Sequence, residues 1–263
     1  MRHPVRNAIV AALAIAALAA AVAAPVVAMS ELRGALLLRL SPKTFRDDVF
    51  LRYADAKGGA VYLLGGIHDA HLTTRDYSLQ NVAAAVLHLR PDLLLVEERP
   101  EEMARGNWAD GPLEAGFASL TAKAAGIPVQ GVDWWTMNSS HQVDSDEREA
   151  RIFANVSAAL PGHRTVLVLI GFAHLDALQA KLAAAGYRQT EFGDADKDRL
   201  FDVAGAPATF PPGMTAAVQR RIAADEATLA SQTDPFWRGR LSNVIAARRA
   251  LLKSIAATGE RGS

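Results

Sequence analysis

Residues 164–174 read Arg-Thr-Val-Leu-Val-Leu-Ile-Gly-Phe-Ala-His, and this stretch decides the fold. Its apolar run is continuous rather than alternating, which is typical of a strand buried on both faces of a sheet. Residues 60–68, Ala-Val-Tyr-Leu-Leu-Gly-Gly-Ile-His, repeat the same order of apolar run, glycine and histidine. A glycine at a strand end permits a tight turn and the close approach of a ligand. Because open α/β sheets bind ligands outside the carboxyl ends of their strands, the two Gly-x-x-His motifs predict a metal or acid/base site at one sheet edge.

Strand-like and helix-like segments alternate on both sides of these motifs. Strands are predicted at 49–53, 61–64, 92–96, 128–132, 164–170 and 187–192. The first two, joined by a glycine turn, form an antiparallel hairpin. Helices are predicted at 76–89, 113–125, 145–160 and 175–185, the third capped by Ser145 or Asp146. This order predicts an α/β fold with a mainly parallel central sheet flanked by helices.

The chain changes character after Phe192. Residues 205–213 contain three prolines and are predicted to form a linker or an ordered loop. Two helices, at 215–229 and 235–256, follow as a C-terminal helical extension. The predicted organisation is a signal peptide at 1–28, an α/β domain at 29–205 and the helical extension at 206–263.

The composition limits the classes of function. The chain of 263 residues has 28 basic and 28 acidic residues, so charge gives no reason to expect a nucleic acid as partner. It has no cysteine, which excludes disulfides, thiolate chemistry and cysteine-ligated metals. Any metal must therefore be held by His, Asp, Glu or Asn.

The N-terminus has the pattern of a secretory signal peptide. Arg2, His3 and Arg6 precede an uncharged apolar run at 8–24, and Ala21-Val22-Ala23 fits a cleavage site, with Val26-Val27-Ala28 as a later option. The alternative is an uncleaved anchor helix, although the run has about the minimum length that spans a bilayer. Either form places the folded part outside the cytoplasm, in a bacterial periplasm or as a secreted protein.

Polar side chains follow the predicted strands of the central sheet. They are His68, Glu97 and Glu98, Asp133, and His174. A charged residue often follows a buried strand simply because the chain returns to water. Histidines and carboxylates together, however, have the composition of a metal site without thiolates, or of a metal-free acid/base pair.

These motifs resemble the TraB/GumN/Tiki group of proteins. The resemblance rests on residues 61–68, 90–97 and 171–174 and covers roughly residues 48–192. The group belongs to a wider superfamily that includes erythromycin esterases and ChaN-like haem-binding proteins. By resemblance His68, Glu97 and His174 take the site positions, and Glu98 is a second acidic candidate.

The group also has a later Arg or Asn at its site. Glu147-Arg148-Glu149 is similar to the group's Glu-Arg-Asp and points to Arg148. Arg151 and Asn155 are alternatives, because steps of three and four residues share a helix face.

His71 leaves two interpretations open. The stretch His68-Asp69-Ala70-His71 resembles the start of ChaN-like proteins, which makes His71 a candidate ligand or haem contact. The other interpretation is an exposed loop histidine. Trp134 and Trp135 could line a substrate pocket or pack in the core.

The resemblance implies a periplasmic hydrolase that acts as a peptidase or an esterase. In a metal form, His68, Glu97 and His174 hold one divalent ion (Zn²⁺, Mn²⁺ or Co²⁺). Glu98 or Asp133 then acts as general base. In this form Arg148 stabilises the oxyanion.

Two further forms of the function remain open from the sequence. In a metal-free form, implied by the erythromycin esterases, a histidine activates water and Glu97 orients it. The alternative function is a non-enzymatic periplasmic protein that binds haem or metal, as ChaN-like proteins do. The expected partner is a small-molecule or peptide substrate, with no nucleic acid and with membrane contact only through an uncleaved anchor.

Overall fold

The computed structural model describes residues 42–74, 76–108, 110–134, 146–201, 203 and 208–260. The predicted signal peptide, Trp135, the Ser145 cap and residues 205–207 of the predicted loop at 205–213 lie outside the described residues. Within the described residues, no helix is long and apolar enough to cross a bilayer.

The described part of the chain contains six strands, nine α-helices and two short 3₁₀ helices. The strands are β1 (Phe50–Ala54), β2 (Ala60–Gly66), β3 (Leu93–Val96), β4 (Val129–Gly131), β5 (Thr165–Gly171) and β6 (Arg188–Thr190). The helices are α1 (Pro42–Val49), α2 (Leu79–Leu89), α3 (Pro100–Ala104), α4 (Leu113–Ala124), α5 (Asp146–Ala159), α6 (Leu175–Ala184), α7 (Asp194–Phe201), α8 (Met214–Ser231) and α9 (Pro235–Thr258). The 3₁₀ helices are His68–Leu72 and Phe172–His174.

The strands form one mixed sheet in the order β4-β3-β5-β2-β1-β6. The four strands β4, β3, β5 and β2 are parallel, whereas β1 pairs antiparallel with both β2 and β6. The predicted fold class is therefore confirmed, including the antiparallel hairpin and the C-terminal helices. The register pairs Gly66 with Gly171 and Gly65 with Ile170, so the two Gly-x-x-His motifs lie side by side at the carboxyl edge with an offset of one residue.

The sheet is covered by helices on both faces. Along β5, Leu167 and Leu169 belong to one hydrophobic cluster, whereas Val166, Val168 and Ile170 belong to the other. This alternation follows from the two-residue period of a strand. The first cluster contains residues of α2, α4, α8 and α9, and the second contains residues of α5 and α6.

Most predicted elements are present with ends shifted by one to three residues, but three helices were not predicted. They are α1, α3 and α7, and their sequences are short and rich in charged or polar residues. Such segments have little apolar periodicity from which to predict a helix. In contrast, α2 begins at a clear local signal, because the Ser78 side chain accepts from the Gln80 N–H and Asn81 accepts from the Ser78 N–H.

Candidate functional site

The carboxyl edge of the central strands brings together both motif histidines and Glu97. His68 follows β2, Glu97 follows β3, and His174 ends the short helix after β5. The N–H of Gly171 donates to Oε2 of Glu97 at 2.5 Å. A Cβ at Gly171 would lie 2.9 Å from that Oε2 and 3.0 Å from Cε1 of His68, so only glycine leaves room for both groups.

His68 is held by a buried carboxylate, Glu114, that lies outside all of the sequence motifs. The backbone N–H of His68 and its ring Nδ1 both contact Oε1 of Glu114, at 3.1 Å and 2.9 Å. Glu114 is 2% exposed, and a Cβ at Gly66 would lie 2.3 Å from its Oε1. His68 also has a positive φ of 51°, an uncommon conformation for a residue with a side chain. Both its backbone and its ring are therefore fixed against Glu114.

Contact with His68 keeps Glu114 ionised. Burial alone would raise the pKa of Glu114, but the electrostatic interaction and the hydrogen bond with His68 outweigh burial and lower that pKa. The pair has the arrangement of an imidazole oriented by a carboxylate, in which Nδ1–H donates to the acid and the opposite ring edge is the reactive one. That opposite edge lies against Gly171.

His174 is a buried imidazole between two acids. Its Nδ1–H donates to Oε1 of Glu149, and its Nε2 lies 3.5 Å from Oε1 of Glu97. Burial would lower the pKa of His174, but the hydrogen bonds to Glu149 and Glu97 and the charge of Glu97 raise it to about 10. His174 is therefore an imidazolium at neutral pH and acts as a fixed positive charge.

Arg148 joins two of the predicted acidic residues. Its Nη2 lies 3.0 Å from Oε1 of Glu97 and 2.8 Å from Oδ2 of Asp133, while its Nε donates to Oδ1 of Asp133 at 2.9 Å. Burial would raise the pKa of Glu97, but His174, His68 and Arg148 together hold it well below its ordinary value. Glu97 is thus a buried carboxylate at the centre of the site.

The three candidates on α5 lie in different surroundings. Arg148 is buried together with Ile152 and Val156 on the face of α5 that packs on the sheet. Arg151 is exposed, pairs with Glu147 at 3.8 Å, and lies over the ring of Trp134. Asn155 donates to the carbonyl oxygen of Val132 at 3.0 Å. Only Arg148 therefore joins Glu97.

Glu98 does not lie with the other predicted site residues. Successive residues of an extended chain point to opposite faces, so Glu97 faces α5 and Glu98 faces α4. Oε1 of Glu98 lies 3.6 Å from the Cβ position of Gly116, and neither of its oxygens has a hydrogen-bond partner among the described residues. Burial, with a smaller contribution from Asp110, raises the pKa of Glu98 to about 8. The prediction of Glu98 as general base is not supported by this position.

Asp133, predicted as an alternative general base, is engaged with Arg148. Its Oδ1 accepts from Nε of Arg148 and from the Trp134 N–H, the latter at 2.7 Å, and its Oδ2 accepts from Nη2 of Arg148. Both oxygens of this carboxylate are engaged in a bidentate pair with the arginine, which fixes the geometry of the two groups. Asp133 therefore positions Arg148.

His71 is buried, so its interpretation as an exposed loop histidine is wrong. Its Nε2 accepts from the Ile67 N–H at 3.1 Å, and its Nδ1–H donates to the carbonyl oxygen of Tyr77 at 2.9 Å. Burial lowers the pKa of His71 and favours this neutral form. Both ring nitrogens hold the loop in place, which does not suit a ligand to metal or haem.

Two site residues had weak signals in the sequence. Glu114 stands as an isolated carboxylate in the apolar stretch 113–122, and a charge buried in this way requires a partner. Glu149 lies inside the Glu147-Arg148-Glu149 motif, next to the predicted site residue Arg148.

The side chains around Glu97 do not fit a metal centre in this arrangement. The oxygens of Glu97 accept from Arg148 and Gly171, and both ring nitrogens of His174 face carboxylates. Metal binding needs neutral imidazoles and carboxylates with available lone pairs. Among the described residues, no group of three or more His, Asp or Glu side chains is arranged to hold a metal ion.

Comparisons with known proteins return no match: no family model, no curated protein and no solved structure matches this chain.

Proposed function

We propose that this protein is a hydrolase of neutral or cationic esters or amides that works without a resident metal, with His68 as general base. The observation that carries the proposal is the double contact of His68 with Glu114, through the backbone N–H and through ring Nδ1. This contact fixes the tautomer and the ring orientation, as general-base catalysis by histidine requires. The resemblance to the TraB/GumN group and to erythromycin esterases supports the same reaction class.

The proposed reaction uses the residues at the carboxyl edge. The imidazole of His68 takes a proton from water while the water oxygen bonds to the carbonyl carbon of the substrate. The imidazolium of His68 then gives that proton to the leaving alcohol or amine as the carbon–heteroatom bond breaks. The products are a carboxylic acid and an alcohol or an amine. His174 and Arg148 supply positive charge near the developing oxyanion.

The charge of the site favours a substrate without a negative charge. In this part of the described chain three carboxylates, Glu97, Asp133 and Glu149, surround the cationic groups of Arg148 and His174, and a fourth, Glu114, pairs with His68. The excess of negative charge repels phosphate and carboxylate groups. The proposed substrate is therefore a neutral or cationic carbonyl compound. The predicted leader places the reaction outside the cytoplasm.

The test is hydrolysis of three chromogenic probes: a carboxylic ester, an amide and a phosphate ester. We expect the purified protein to cleave p-nitrophenyl esters or aminoacyl p-nitroanilides, but not p-nitrophenyl phosphate. His68→Gln and Glu114→Gln should each lower kcat by about 100-fold or more, the range for loss of a general base. His88→Gln is the matched control, because His88 lies in α2 beside Asp196, away from the site.

Two results would contradict the proposal. Activity of His68→Gln at the wild-type rate would remove His68 from the mechanism. Activity that is lost on dialysis against EDTA and restored by Zn²⁺ would favour the metal form predicted from the resemblance. The haem-binding alternative would require a Soret band when the protein is mixed with haemin. The buried ring of His71, in which both nitrogens are hydrogen-bonded, does not favour that alternative.

A further inference from the structure

The C-terminal helix α9 reaches the segment that carries His68. Arg248 of α9 is only 2% exposed, and its Nη2 donates to Oδ1 of Asp69 at 2.7 Å. Its Nη1 pairs with Asp225 of α8. Asp69 directly follows His68, and the contact joins residues 179 positions apart in the chain.

Helix α8, which packs against α9 as a C-terminal helical hairpin, reaches the segment that leads to Glu114. Arg221 of α8 donates through Nη1 to the carbonyl oxygens of Asp110 and Gly111, at 3.0 Å and 2.8 Å. Only Pro112 separates these two residues from α4, whose first turn contains Glu114. The two arginines of the hairpin therefore contact both chain segments that form the His68–Glu114 pair.

The backbone of His68 requires such support. A residue with a side chain and a φ of 51° persists only where the surrounding contacts determine it. Glu114 supplies contacts at the N–H and ring of His68, and Arg248 supplies one at the next residue. A charge-assisted bond from a buried guanidinium is directional and strong.

We propose that Arg248 is a positioning residue for His68, acting through Asp69. This inference rests on the proposed function, in which His68 is the general base. The C-terminal hairpin is then part of the catalytic apparatus, although it contributes no group to the reaction. Loss of the Arg248–Asp69 bond lets the His68 segment leave its left-handed conformation and separates the ring from Glu114.

The primary variant is Asp69→Asn, since it keeps size and shape and leaves the Arg248–Asp225 pair in place. We expect kcat to fall at least tenfold while KM changes less than twofold, because positioning affects the reaction step rather than substrate binding. Arg248→Gln should give the same loss, and the double variant should be no slower than Arg248→Gln alone. Arg249→Gln is the matched control, since Arg249 is the next residue of α9, is exposed, and pairs with Glu226.

A second measurement does not depend on hydrolysis. The amide N–H of His68 donates to Glu114, so its hydrogen-exchange rate reports whether the segment keeps its conformation. We expect at least tenfold faster exchange at His68 in Asp69→Asn, with no change at Leu167 in the centre of β5. If no probe is cleaved, the proposed function fails while the exchange rate still tests the positioning. Unchanged exchange at His68 in both Asp69→Asn and Arg248→Gln would overturn this inference.

Discussion

Glu97 and Glu98 are neighbours in the chain, but the structure places their carboxyl groups in opposite environments. Glu97 is surrounded by Arg148, His174 and the Gly171 N–H, which keep it ionised. Glu98 is fully buried on the other face, with no hydrogen-bond partner in the described ranges, and its pKa is raised to about 8. Glu98 therefore carries its proton at neutral pH and costs stability.

The first prediction is that Glu98→Gln stabilises the fold in a pH-dependent way. The unfolded chain releases the Glu98 proton near pH 4.5, but the folded chain keeps it until about pH 8. Glu98 therefore lowers the free energy of unfolding progressively as the pH rises from 4.5 to 8, and this loss of stability stays constant at higher pH. A glutamine has no such proton, so the stability gain should be small at pH 5 and reach on the order of 3 kcal/mol at pH 8.

Chemical denaturation at pH 5 and at pH 8 measures this difference. Glu101→Gln is the control, because the side chain of Glu101 in α3 is 55% exposed and should show no such gain. A variant Glu98→Gln no more stable than wild type at pH 8 would show that Glu98 is ionised without cost.

At the scale of elements, the register of β2 against β5 positions the residues of the candidate site. Gly66 pairs with Gly171, and each leaves space that an acidic side chain from another element fills. At Gly66 this side chain is Glu114 of α4, and at Gly171 it is Glu97 after β3. Two strand ends and two other elements are therefore packed around the same two glycines.

The second prediction is that Gly66→Ala disrupts the His68–Glu114 pair. The new Cβ would lie 2.3 Å from Oε1 of Glu114, which is too close for a non-bonded carbon–oxygen contact. The buried carboxylate must move, so we expect a loss of stability of about 1–3 kcal/mol and at least a tenfold loss of kcat. Thermal unfolding and steady-state kinetics measure both effects. Gly193→Ala is the control, because a Cβ at Gly193 would lie 3.8 Å from its nearest neighbour, Oδ2 of Asp196. If Gly66→Ala and Gly193→Ala had the same stability and the same kcat, the close packing of Glu114 against Gly66 would be contradicted.

At the scale of the whole molecule, the C-terminal helices complete the core. Met214, Val218, Ile245 and Ile255 are buried in the same hydrophobic cluster as Leu167 of the central strand. The extension predicted as a separate region at 206–263 therefore packs against the sheet domain. Its arginines also contact the segments around His68 and Glu114.

The third prediction is that a chain ending at residue 207 does not fold stably. Removal of α8 and α9 exposes the apolar surface of α4 that α8 covers, at a cost of about 25 cal/mol per Å². We expect one cooperative thermal transition for the full chain, and a lower, broad transition or none for the shortened chain, measured by circular dichroism. Phe236→Ser is the control, because Phe236 is 60% exposed near the start of α9 and should leave the transition unchanged. A shortened chain with the full-length melting temperature would show that the hairpin is dispensable for folding.

Local sequence signals predicted much of the fold and part of the site. The apolar runs at 61–64, 92–96 and 164–170 became β2, β3 and β5, because a continuous apolar strand is stable only when covered on both faces. His68, Glu97 and His174 were found because the carboxyl ends of parallel strands meet at one edge. Glu114 and Glu149 were not selected, because helix periodicity does not show which strand end a helix faces.

By itself, the sequence determined that a buried parallel sheet would form and that two histidines and an acid would lie at its edge, since periodicity and chain order encode both. Only the tertiary structure decided the pairing: His68 with Glu114, His174 with Glu149, Arg148 with Glu97 and Asp133, and Arg248 with Asp69. Most of these partners lie 46 or more residues apart, as for His68 and Glu114. Such pairs form because a buried charge must find a partner among the side chains that packing brings near it. Packing in turn depends on how the helices cover the sheet.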